Sequence, residues 1–177
     1  MEFNLDEAMA VLSRTPATLK AMLNGLPRNW LENNEGPETW SPYDVIGHLV
    51  HGERTDWIPR AKIVLEHGEA RPFDPFDRLA QFEESKGKTL GDLLDEFAAL
   101  REQNLTTLRE MKISAADFEK TGQHPAFGKV TLKELLATWV AHDLDHIAQI
   151  ARTMAKQYVA EVGPWQAYIT IIHDRKK

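Results

Sequence analysis

Apolar residues recur along the chain at spacings near 3.6, the period of a helix that buries one face. Leu5, Met9, Leu12, Leu19, Met22 and Leu23 mark a first stripe, and Val45, Ile46, Leu49, Val50 and Trp57 a second. A third runs through Leu90, Leu93, Leu94, Phe97, Leu100, Leu105, Leu108 and Met111, and a fourth through Leu132, Leu135, Leu136, Trp139, Ile147, Ile150 and Met154. Each begins beside a small polar residue with a carboxylate three positions on: Asn4 with Glu7, Ser41 with Asp44, Thr89 with Asp92, Thr131 with Glu134. Such a pair satisfies orphan N–H groups of the first turn and sets negative charge at the positive end of the helix dipole. Pro42 suits the first turn of the second helix. Pro16 predicts a kink in the first helix, or a restart capped by Thr15, and Pro59 predicts a kink or an end in the second. Period-two alternation is nearly absent, so the pattern predicts an all-α four-helix bundle.

The connections are long for such a bundle, covering residues 25–40, 67–88 and 113–130. Loops of this length tend to be functional walls or crossovers, and three of them are expected to roof one end. Within the second, "FDRLAQFEE" predicts a short extra helix. After residue 157, Gly163 and Pro164 break "YVAEVGPWQAYITII" and predict a short packed terminal element. The 177 residues carry no internal repeat and fit one domain spanning 1–177.

Composition then removes whole classes of chemistry. There is no cysteine, which excludes disulfides, thiolate zinc sites and a cysteine nucleophile together. Any metal must therefore be held by His, Asp or Glu. A net charge of −6, with "DRKK" as the one short basic run, disfavours nucleic acid as a partner. "MEFNLDEAMA" lacks the basic and apolar regions of a secretory signal, and no apolar run reaches the roughly 18 residues of a membrane span. The expectation is a cytoplasmic protein without membrane attachment.

The segment "AHDLDHIAQI" puts His142 and His146 four apart on the apolar stripe of the fourth helix, about 6 Å apart along its axis. Two readings stay open on spacing alone: interior histidines bonded to backbone or to Asp143 and Asp145, or metal ligands whose rings those aspartates orient. "HDLDH" is only an echo of the zincin H-E-x-x-H, because Asp143 stands for the glutamate and the following glycine and histidine are missing. The second helix offers His48, His51 and Glu53 in "VIGHLVHGER". On a helical wheel His48 flanks the buried face, whereas His51 points further out and reads as solvated. Gly52 reads as close helix packing or as room for a substrate. Three neutral imidazoles from two helices suit zinc or nickel and leave coordination positions open. Glu53 reads as a helix carboxylate, with a base or an amine-binding group as the functional alternative. His124 in "GQHPAFG" reads as a solvated loop residue or part of a cavity entrance. Trp40, Trp57 and Trp139 read as core or as a pocket wall.

Together, "LSRTPATLKAMLNGL", "WSPYDVIGHLVHGE", "FGKVTLKELLATWVAHDLDHIAQI" and "VGPWQAYI" resemble the DinB-like superfamily, over essentially the whole chain. The most specific part runs from Phe127 to Ile150. The resemblance implies a DinB/YfiT-like four-helix bundle with long crossover loops and a divalent metal, commonly zinc or nickel, near one end. It carries the metal ligands to His48, His142 and His146. Relatives include transferases that use bacillithiol or mycothiol, which implies a small-molecule substrate and an external low-molecular-weight thiol. Members often pair, so a homodimer is the expected assembly. The rival expectation is a non-catalytic helical bundle in which metal only staples two helices.

Overall fold

All four predicted helix starts are used in the computed structural model, which describes residues 1–173; the basic "DRKK" run lies outside them. In chain order the elements are α1 (Leu5–Leu12), α2 (Thr15–Leu23), α3 (Arg28–Glu32), α4 (Pro42–Thr55), α5 (Trp57–Glu66), α6 (Ala80–Glu84), α7 (Leu90–Glu110), β1 (Thr121–His124), β2 (Gly128–Thr131) and α8 (Leu132–Lys156). Asn4 accepts from the backbone N–H of Glu7. Ser41, Thr89 and Thr131 each form a complete capping box with the acid three residues on. The bundle consists of α1–α2, α4–α5, α7 and α8, each first or second helix being broken in two.

The breaks differ in detail from those expected at the prolines. The first helix does restart around Pro16, but Thr15 lies inside α2 and Arg14 takes the cap position without a side-chain capping bond. The second helix breaks at Asp56, three residues before Pro59, which then occupies the first turn of α5, where its missing N–H costs nothing. "FDRLAQFEE" forms α6 as predicted, and the segment after residue 157 packs as two 3₁₀ turns, Gly163–Tyr168 and Thr170–Ile172. The all-helical expectation misses one antiparallel hairpin, β1–β2, within the third long connection. Among the described residues no helix is long and apolar enough to cross a membrane.

The stripes meet in two apolar clusters. Leu12, Trp57, Ala61, Leu108, Leu136 and Trp139 belong to one, and Leu19, Ile46, Leu49, Leu94, Phe97 and Ile150 to the other. Between them lies Arg101 of α7, its guanidinium stacked over Phe97 of one cluster and Trp139 of the other. It donates two bonds to Asp143 of α8 (2.6 and 3.0 Å), one to Glu53 of α4 (2.8 Å) and one to the carbonyl of Leu12 at the end of α1 (2.8 Å). Asn104 and the Trp139 indole also donate to Glu53. One buried side chain thus ties together all four legs of the bundle.

Candidate metal centre

His48 sits in the middle of α4, and His142 and His146 are one turn apart on α8, which packs beside it. The structure brings the three rings together. Nε2 of His142 is 3.1 Å from Nε2 of both His48 and His146, and one ring nitrogen of each residue lies within 4.8 Å of the other two. For comparison, two nitrogens held at 2.0–2.1 Å by a tetrahedral zinc ion are about 3.3 Å apart. The arrangement is of coordination size.

Hydrogen bonding decides which nitrogen of His146 is available. Nδ1–H of His146 donates to Oε1 of Gln149 at 2.8 Å, which leaves the Nε2 lone pair facing the other rings. Nδ1 of His48 and of His142 is buried and has no hydrogen-bond partner among the described residues. Burial, reinforced by the charges of His146, His142, His51 and Arg78, pushes His48 down to about 2. Burial, then His146 and Arg101, takes His142 down to about 3. His146 is also lowered by burial, against the opposing pull of Gln149, Asp145 and Asp143. Near neutral pH the three rings are therefore uncharged, with lone pairs to share, as a borderline divalent cation requires. The donor set fits such an ion.

Aromatic side chains close around the rings. Trp40 lies 4.8 Å from His48 and stacks on His146 at 6.4 Å, Phe76 meets His48 edge-on at 5.3 Å, and Trp57 meets His142 at 5.1 Å. The loop that delivers Trp40 is anchored by Glu35, which bonds Arg152 and Lys156 of α8. Beyond the rings opens a cavity of about 770 Å³, whose walls include residues of all three long connections, among them Trp40, Phe76 and Arg78, and His124 to Phe127. That is the roof expected from the loop lengths.

Other residues singled out from the sequence fall into place differently. Asp143 is fully buried and turned to Arg101, not to a histidine ring, whereas Asp145 lines the cavity. Gln149, three residues after His146 on the same helical face, orients that ring, a partner the sequence reading passed over in favour of the aspartates. Glu53 is 2% exposed and bound to Arg101, Asn104 and Trp139, so its carboxylate is taken up inside the bundle. His51 is not solvated: it is 5% exposed, with Nδ1 3.1 Å from Glu84 of α6 and its ring against Phe76. His124 does line the cavity, its Nδ1 accepting the backbone N–H groups of Ala126 and Phe127. Trp40 and Trp57 form pocket wall, whereas Trp139 is core, stacked on Trp57 at 5.6 Å.

Two arginines and an aspartate of the cavity, Arg60, Arg78 and Asp56, belong to no motif in the sequence. Arg60 pairs with Asp56 at 2.5 Å, donates to the carbonyl of Asp74 and lies over the Phe73 ring. Burial raises the Asp56 pKa, against the charges of Arg60 and His51. Arg78 stands on the same wall, close enough for its charge to act on His48.

The comparisons agree with this architecture. A family model described as the DinB superfamily matches residues 12–150. Among solved structures, YfiT from Bacillus subtilis, described as a probable metal-dependent hydrolase with an unusual four-helix bundle topology, matches with a TM-score of 0.75. The match has 25% sequence identity and covers 86% of this chain and 87% of that one. No curated protein matches the chain.

Proposed function

The chain belongs to the DinB superfamily, and from that premise we propose that it is a metal-dependent enzyme acting on a small molecule. His48, His142 and His146 hold one divalent ion, zinc or nickel, and a water or an external low-molecular-weight thiol becomes the nucleophile there. The observation that carries this reading is the convergence of three neutral imidazole nitrogens on the wall of a cavity large enough for a substrate. The description of YfiT as a probable metal-dependent hydrolase supports it.

When bound, the ion supplies a Lewis acid that lowers the pKa of a coordinated water or thiol toward neutrality. The protein's own part follows from its contacts. The three Nε2 atoms would supply the lone pairs that hold such an ion, one protein ligand fewer than the four of a structural zinc site. Gln149 holds the His146 ring in the tautomer that keeps its lone pair directed inward. Trp40, Trp57 and Phe76 keep bulk water off the rings, which strengthens electrostatic interactions at the site. With no cysteine in the chain, a thiol nucleophile has to come from solution. Hydrolase and thiol transferase share this machinery and differ in which nucleophile enters the cavity.

Protein produced without a histidine tag under metal-replete growth is expected to carry one divalent ion per chain by mass spectrometry, and His146→Ala to carry none. Wild-type protein free of metal overturns the proposal. A screen of small thiols against a generic electrophile, and of simple esters and amides without thiol, is then expected to show acceleration that a chelator abolishes. A loaded protein that accelerates neither moves the assignment to a metal-stapled, non-catalytic bundle.

A further inference from the structure

Among the described residues two cations line the cavity, and one of them is engaged by the fold. Arg60 is engaged by Asp56, by the carbonyl of Asp74 and by the Phe73 ring. Arg78 is exposed on the same wall and forms no hydrogen bond or ion pair with any described residue. Its nearest carboxylate in sequence is committed elsewhere, since Asp77 accepts from the backbone N–H groups of Leu79 and Ala80 at the start of α6. The segment is nevertheless held in place on both sides of Arg78. Phe76 packs against His48 and His51, and Asp77 caps the turn that follows. A charged side chain is thus presented to the cavity beside the three histidines, with no structural task of its own.

We propose that Arg78 binds the anionic group of a small acidic ligand, a carboxylate or a phosphate, whose apolar body lies against the aromatic wall of the cavity. The inference rests on the metal-site reading for the ligand's role as substrate, but the Arg78 contact does not depend on the ion. A planar guanidinium offers paired N–H donors that match either oxyanion bidentately, and aromatic walls such as Trp40, Trp57 and Phe76 suit an apolar body. Of the other charged groups of the wall, Glu134 is held by its capping box with Thr131, Asp56 and Arg60 hold each other, and Asp145 faces the cavity from α8 as a carboxylate that favours a cation over an anion, so Arg78 is the anchor for an acidic group.

The test is calorimetric titration of 3-phenylpropionate, phenyl phosphate and the neutral 3-phenylpropionamide into zinc-loaded and metal-free protein, wild type and Arg78→Gln. One of the acids is expected to bind wild-type protein about tenfold more tightly than the amide, and the acid that does so identifies the group read. In Arg78→Gln the preference is expected to fall to within about twofold, with Arg78→Lys between the two because it keeps the charge and loses the fork. Since the side chain is exposed, thermal unfolding of both variants should match wild type. No binding of either acid overturns the proposal, as does equal binding of acid and amide, or a preference that persists in Arg78→Gln because the ion itself takes the carboxylate. The metal-free arm separates the two readings: an acid preference that persists there through Arg78 keeps this inference, whereas protein that takes up no zinc in the loading step refutes the metal site alone.

Discussion

At the centre of the bundle, a guanidinium 1% exposed faces two carboxylates that are 2% and 0% exposed. Burial alone would lower the Arg101 pKa, but its bonds to Asp143 and the charge of Glu53 outweigh that and raise it. Removing one partner from such a group leaves charge stranded in a low dielectric, which typically costs about 3–5 kcal/mol, whereas replacing the whole group with apolar side chains is often neutral. Arg101→Met is therefore expected to lower stability by about that amount in urea unfolding. Adding Glu53→Gln and Asp143→Asn to it should recover part of the loss. A triple variant no more stable than Arg101→Met would show that the arginine matters through its packing on Phe97 and Trp139. The sequence did hold a signal for this residue. Phe97, Arg101 and Leu105 recur at four-residue spacing, so a charge interrupts an otherwise apolar stripe and needs a partner from another helix. Which partner it finds depends on the neighbouring helices.

Among the elements, the helices were readable because their signals are local. A capping residue and its acid are three positions apart, and an amphipathic stripe repeats over a few turns, so neither depends on distant chain. The hairpin lacked such a signal. Its strands are only four residues each, "TGQH" and "GKVT", too short for clear alternation, and they are held by pairing to each other and by a bridge between Pro72 and Gln123. Gly122 of β1 is the close approach on which that packing depends. A Cβ there would stand 2.8 Å from Cε1 of Phe73 and 2.9 Å from both Cζ of Phe73 and Cγ2 of Val64, distances that side chains essentially never adopt. Gly122→Ala is expected to destabilise by about 1–3 kcal/mol, the usual cost of overpacking, and to push Phe73 out of the cavity wall. Thermal unfolding checks the first effect. Combination with Phe73→Leu should relieve part of it, and an unchanged melting temperature in Gly122→Ala would contradict the packing described.

For the molecule as a whole, two buried histidines and a half-buried one make stability depend on pH when no metal is bound. Their ordinary pKa is 6.5; in the folded chain burial is the largest cause that lowers it, to about 2 for His48 and about 3 for His142. Above about pH 7 the rings are neutral folded or unfolded. Below 6.5 the unfolded chain takes up protons that the folded chain refuses, so stability falls as pH falls, by roughly 1.4 kcal/mol per pH unit for each such ring. Chelator-treated wild-type protein is thus expected to lose urea resistance steadily from pH 6.5 to 5, and His48→Gln with His142→Gln to show a shallower slope. Equal slopes in the two proteins would place the pH dependence elsewhere in the molecule.

The residue order by itself determined the helical class, the four starts, the extra helix near residue 80 and, through a chain-long resemblance, the family and the three histidines. These follow from periodicity and from short motifs, which involve neighbours along the chain. Folding decided which of the possible partners meet. Only the assembled bundle brings Asp143 of α8 to Arg101 of α7 and sets helix α6 against His51, whereas Gln149 reaches His146 within α8, three residues away. The cavity and its unengaged arginine are likewise products of three loops converging from far apart in sequence, where no periodicity constrains the outcome.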